Sequence, residues 1–231
     1  MRISLVTICT REKRYDHPRK LVERDFAELS RRLWREDSLG HLRTPAGRFY
    51  TGLAQRRLDR GIGLARRARL HVDLWILSAG YGLIHELMPV VPYDCSFNGL
   101  SATELARWSG HLCLPDTVPM FLEAPADLRL VLLTDPYLRA CGLHRDTPLA
   151  ASTIFVVSRR MAHRLPPGAI PWVLERDDVT RFGTPAVALR QELGARILGL
   201  LGRDGEAGLV SILAAGDTWR DLMVGAGHTA G

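Results

Sequence analysis

Lysine is nearly missing from this chain. Of 31 basic residues in 231, only Lys13 and Lys20 are lysines; the rest are arginines. That bias follows from a GC-rich genome as readily as from phosphate chemistry, so it carries no weight by itself. Cysteine is sparse too: Cys9, Cys95, Cys113 and Cys141, no two in C-x2-C spacing. A structural zinc site is therefore not expected. No apolar run approaches the ~18 residues of a transmembrane helix, so no membrane partner is expected. Met1 to Cys9 runs directly into Arg11, Glu12, Lys13 and Arg14 with no small-residue cleavage site. It reads as a buried first strand and not as a signal peptide. The expected compartment is the cytoplasm, where disulfides do not persist, and Cys95, Cys113 and Cys141 read as core thiols. There is no Walker A sequence, no G-x-G-x-x-G and no H-x-x-x-H. Nucleotide-cofactor enzymes, zinc deaminases and metalloproteases fall away, and neither cofactor nor metal is expected.

What is present is asymmetric charge. Residues 1–70 hold 18 basic residues against 8 acidic ones, whereas residues 71–231 hold 13 against 17. The first third is therefore read either as a surface for a polyanion or as a solvated basic face. With 46% hydrophobic residues, the chain has apolar material for one α/β domain.

Periodicity places the elements. Ile3–Ile8, Val72–Ser78, Leu128–Thr134 and Thr153–Ser158 read as buried strands. Residues 21–34, 53–70, 103–112 and 186–201 have helical spacing, the last with Thr184 as cap and Pro185 at its first position. A short helix starts at Pro136. Residues 83–91 read as a loop or edge segment and 165–171 as a Pro/Gly-rich connection. The fold class is α/β: one domain over residues 1–202, a central mixed sheet flanked by helices, then a Gly-rich tail over 203–231 whose last six residues fray. The oligomeric state is not readable.

Three motifs carry chemistry. Cys9-Thr10-Arg11-Glu12-Lys13 ends the first strand, where open α/β sheets bind ligands. Cys9, Arg11 and Lys13 there suit a phosphate or an anionic base edge; the alternative is a buried thiol in a charged loop. Gly47 to Gly52 offers Arg48 for a phosphate and Tyr50 for stacking on a base; the alternative is an aromatic staple beside a surface arginine. The third, Ile76 to Ile84 followed by Pro92-Tyr93-Asp94, is the strongest. Gly80 and Gly82 allow close backbone approach, and Ser78 and Tyr81 point into the opening. The strand ends at Cys9, Ser78 and Thr134 are expected to border one cavity. Asp135 is a second carboxylate on that rim, or else a helix N-cap.

Taken in order, these motifs resemble a bacterial family whose usual pattern is CSKTK, LYxGxLF, LSAKHGLL and PYDxTL. That family looks like a relative of the YaaA peroxide-stress proteins, which bind DNA, and it extends to an anti-phage DNA glycosylase that removes glucosylated hydroxymethylcytosine. This chain has CTREK for the first motif, Tyr81 where His is frequent, and Cys95-Ser96-Phe97 after the Pro-Tyr-Asp element. The resemblance implies base chemistry on modified phage DNA: a DNA glycosylase that leaves an abasic site. The alternatives are a non-enzymatic DNA-binding stress protein and a tRNA base-remodelling enzyme.

On that reading Asp94 is the carboxylate that stabilises positive charge on the sugar. Ser78, Tyr81 and backbone near Gly80 and Gly82 hold the base, with Tyr93 beside them. Asn98 reads a base edge and Tyr50 stacks. Arg48, Arg11 and Lys13 hold phosphates, and Cys9 and Asp135 line the pocket. No lysine lies in the Asp94 or Ser78 motifs, so Schiff-base lyase chemistry is not expected. The arginines of residues 21–35 and 53–69 are expected to form a basic face beside the cavity.

Overall fold

The computed structural model describes residues 1–227. Six strands form one sheet: β1 (Arg2–Ile8), β2 (His71–Ser78), β3 (Gly82–His85), β4 (Leu128–Leu132), β5 (Ser152–Ser158) and β6 (Ala169–Leu174). Their order is β6-β5-β4-β1-β2-β3. All pairs are parallel except β2–β3, which turns back at Ser78↔Gly82. The sheet is therefore mixed, with β1 and β4 buried at its centre. Continuous apolar runs such as Ile154–Val157 suit strands covered on both faces.

The main helices are α1 (Leu29–Ser38), α2 (Leu53–Arg67), α3 (Ala102–His111), α4 (Leu114–Glu123), α5 (Asp135–Ala140), α6 (Leu189–Ala214) and α7 (Trp219–Gly227). The longest, α6, lies against α2 and the sheet. Gln191 on α6 is buried and donates to Thr7 Oγ1 (3.0 Å) and to the Leu132 carbonyl (3.2 Å), tying the helix to the two central strands. Where α2 and α6 cross, Gly61 faces Ala195. A Cβ on Gly61 would sit 2.8 Å from the Ala195 carbonyl oxygen, so only glycine permits this spacing. Gly61→Val is expected to lower stability by about 3 kcal/mol, the upper range for overpacking a close contact, read from a denaturant midpoint.

Several expected boundaries move. Residues 21–34 do not form one helix. Leu21–Val22 pairs in parallel with Tyr93–Asp94, a turn covers Glu23–Phe26, and α1 begins only at Leu29. The break is held by Asp25, which is buried, accepts from the Val22 amide (2.9 Å) and pairs with Arg31 (2.7 Å). Helix α6 starts at Leu189, after a turn that follows Thr184 and Pro185. The segment set apart as a tail from residue 203 continues α6 through a non-helical Gly205 and then forms α7. Helix α7 docks by stacking Trp219 on Trp172, ring centroids 4.9 Å apart, and by Arg220 on Asp178 (2.8 Å). Of the six residues expected to fray, residues 228–231 lie outside the described part. Cys113 is exposed at the start of α4 and is not a core thiol, whereas burial pushes the Cys141 thiol up to about 12. No helix among the described residues is long and apolar enough to cross a membrane.

Candidate functional site

Beyond the C-terminal ends of β1 and β4 lies an open cleft of about 670 Å³. The loop after β1 supplies Cys9, Arg11, Glu12 and Lys13; the segment after Tyr93 supplies Asp94, Cys95, Ser96 and Asn98; Thr134 and Tyr137 close the far wall. Two backbone links hold the first loop in place. The Arg14 amide donates to the Phe49 carbonyl (2.8 Å) and the Thr51 amide to the Glu12 carbonyl (3.1 Å). The first two sequence motifs are thus one antiparallel contact. It leads into Gly52, where a Cβ would lie 2.9 Å from the Thr10 side chain. That closeness brings the N-terminus of α2, through Gly52, Leu53 and Ala54, to the cleft wall. Its first-turn amides and the exposed Arg11 make a phosphate-compatible edge.

Five of the expected site residues meet here: Cys9, Arg11, Lys13, Asp94 and Asn98. The Asp94 side chain is 61% exposed and its carboxylate pairs with Lys20 Nζ at 3.2 Å. Lys20 also holds Asp16 (3.0 Å), and Asp16 and Asp94 together raise its pKa. Lys13 differs. Its ammonium lies over the Tyr93 ring, 4.7 Å from the centroid, and has no hydrogen bond or ion pair among the described residues. Burial pulls its pKa below the ordinary lysine value, against the opposing pull of Cys9 and Asp94. Cys9 Sγ lies 3.1 Å from Tyr137 Oη. Burial raises the Tyr137 phenol, with Cys9 adding to the effect.

The remaining expected residues stand behind the cleft as scaffold. Ser78 is fully buried. Its hydroxyl donates to Tyr93 Oη (2.8 Å) and accepts from the Gly80 (3.2 Å) and Tyr81 (3.0 Å) amides. Tyr93 and Tyr50 hydroxyls are 2.7 Å apart and both rings are buried, so Tyr50 presents no open face for stacking on a base. Burial drives both phenols well above the ordinary tyrosine value. Tyr81 is buried edge-on to Phe26 and Tyr93, and its hydroxyl accepts from the Val91 amide (3.3 Å). Gly80 is small because a Cβ would lie 2.9 Å from the Phe26 and Tyr93 rings, and Gly82 because its φ is +76°. Neither glycine approaches the cleft.

Arg48 is exposed and does not line the cleft; its neighbour Gly47 is bonded to the Glu86 carbonyl after β3. Asp135 is neither cap nor lining residue. It accepts from Ser158 (2.8 Å) and pairs with Arg190 (3.5 Å), while Thr134 takes the N-cap position.

Many of the arginines expected on a basic face are engaged within the protein. Helix α1 adds nothing to the lining, and its Arg31, Arg32 and Arg35 pair with Asp25 or Glu36. On α2, Arg57 is held by Glu192 (2.7 Å) and Arg66 by Glu86. Arg56 and Arg67 are exposed. Tyr137 lies outside the expected set, and its place in Thr134-Asp135-Pro136-Tyr137, at the end of a central strand, is the signal that points to it. Comparison with protein-family models and with curated proteins finds no match.

Proposed function

We propose that this chain is a DNA N-glycosylase that excises a hypermodified pyrimidine, such as the glucosylated hydroxymethylcytosine of phage DNA, and leaves an abasic site. The observation that supports this reading is the convergence of Asp94, Lys13, Arg11 and Asn98 in one open cleft. Its volume, about 670 Å³, falls within the few-hundred to ~1,000 Å³ range of small-molecule sites. A nucleobase inside a duplex is out of reach, so the nucleotide enters flipped or from a single strand. Asp94 opposes the positive charge that grows on the sugar, and Asn98 reads a base edge. Arg11 and the first turn of α2 hold backbone phosphate. Cys9 and Tyr137, in contact with each other, line the cleft in place of Ser78 and Tyr81.

Binding without chemistry is the second reading. The observation in its favour is the solvent-exposed pairing of Asp94 with Lys20. One experiment separates them. The protein is incubated with duplex and single-stranded oligonucleotides carrying the modified base, with unmodified controls and with tRNA. Released bases are read by mass spectrometry, and affinity is followed from low to high salt. Release from modified DNA alone is the expected result. Salt-sensitive binding without release leaves the binding protein, and release from tRNA alone makes the substrate RNA.

A further inference from the structure

We propose that Lys13 is an amine nucleophile that captures the ring-opened aldehyde of an abasic deoxyribose, so that strand cleavage follows base removal in the same cleft. This inference rests on the glycosylase reading, since the aldehyde is the product of that reaction. The spacing of the motifs argues against such chemistry, because no lysine lies near Asp94 or Ser78 in sequence. The fold overrides that argument by placing Lys13 and Asp94 on one cleft.

Among the described residues the amines to weigh are those of Lys20, Met1 and Lys13. Lys20 is ion-paired to both Asp16 and Asp94, which keep it an ammonium. The Met1 amine precedes β1, at the end of the sheet opposite the cleft. Among the described residues Lys13 alone reaches the cleft with a partly buried amine that no carboxylate pairs with. A lysine desolvated in this way spends more time neutral, and only the neutral amine adds to a carbonyl. The Tyr93 ring beneath it is fixed by its bonds to Ser78 and Tyr50, so the amine stands on a rigid base. This gives the buried hydroxyl cluster a purpose: it positions Lys13.

The steps balance without an oxidant or reductant. Lys13 Nζ adds to C1′ of the open-chain sugar, the C1′ oxygen leaves as water, and an imine joins Nζ to C1′. Asp94 takes a proton from C2′. The freed electron pair forms the C2′–C3′ double bond, the C3′–O bond breaks, and the 3′-phosphate leaves with its electrons. Water hydrolyses the imine, which frees the amine and an unsaturated aldehyde.

The test uses the whole chain and a duplex whose abasic site is made beforehand by uracil excision, so no modified base has to be recognised. Borohydride reduces an imine to a stable secondary amine. The expected result is a covalent protein–DNA adduct. Cleavage at arginine should map it to the peptide holding Lys13, which is separate from the one holding Lys20. Lys13→Arg and Lys13→Met should reduce the adduct and the strand cleavage to background. Lys13→Met relieves a buried charge, so its unfolding midpoint should equal or exceed that of the parent. The proposal is overturned if the duplex is bound but no adduct forms, or if the adduct lies on Lys20 or Met1. An adduct on Lys13 without base release from any modified DNA keeps the amine and removes the glycosylase reading. Base release without an adduct removes the amine and keeps the glycosylase. Failure to bind the abasic duplex overturns the amine and leaves the glycosylase reading to the base-release assay.

Discussion

Asp94→Asn should slow base release by about 10³-fold, several kcal/mol of barrier, while leaving DNA affinity nearly unchanged. The substitution preserves shape and removes charge. The carboxylate is solvent-exposed, so the fold hardly depends on it: an exposed ion pair such as Asp94–Lys20 contributes ~0–1 kcal/mol. Lys20 retains Asp16 as a partner. The effect should therefore appear in kcat and not in the denaturation midpoint. Turnover within about tenfold of the parent would be only ~1.4 kcal/mol and would remove Asp94 from the mechanism. Attention then moves to Glu12, which lines the same cleft, and not to Asp135, which is engaged by Ser158 and Arg190.

Ser78→Ala should do the opposite. Its hydroxyl serves three partners in a fully buried position, so removing it leaves the Gly80 and Tyr81 amides without an acceptor and the Tyr93 hydroxyl short of a donor. Unsatisfied buried polar groups cost about 1–3 kcal/mol each, and a net loss of about 3 kcal/mol is expected after relaxation. Base release per folded molecule should stay within about threefold, under ~1 kcal/mol of barrier. Urea unfolding and single-turnover assays on the same preparation read both quantities. Lost turnover at unchanged stability would return Ser78 to the chemistry.

These two serine and aspartate positions show what the sequence makes legible. The rim was readable because buried parallel strands are continuous apolar runs and ligands gather beyond their carboxyl ends. Cys9 and Lys13 follow from that rule, whereas Asp94 was marked by the Pro-Tyr-Asp motif and the resemblance it carries. Ser78, Gly80 and Gly82 do not, because a small residue needed for packing and one needed for a ligand look alike in one dimension. Gly80 makes room for Phe26, which arrives from a segment 54 positions earlier. Only tertiary contact reveals it. Prolines obscured two elements. Strand β6 contains Pro171 and is tolerated because it lies at the sheet edge. Helix α4 carries Pro115 in its first turn and Pro119 inside, which hides its period. The break in residues 21–34 was invisible because Leu21 and Val22 answer to Tyr93 and Asp94, not to their own helical spacing.

The order of strands also has a bearing on assembly. The first strand in the chain lies inside the sheet, with β2 on one side and β4 on the other. Once residue 85 has been made, β1, β2 and β3 can close one flank with α2 beside them. The other edge of β1 stays open until residue 132, and β5 and β6 then each add to the strand made just before. During synthesis the edge that receives new strands thus moves outward from β1 through β4 to β5, while β3 ends the sheet on the opposite flank, and α6 is made only after the six strands it helps to cover. An exposed edge is the usual starting point for mispairing between chains. On the β1 flank each open edge is taken by the next strand of the sheet to emerge, until β6 ends it, so vectorial synthesis favours the correct partner over a neighbouring chain there.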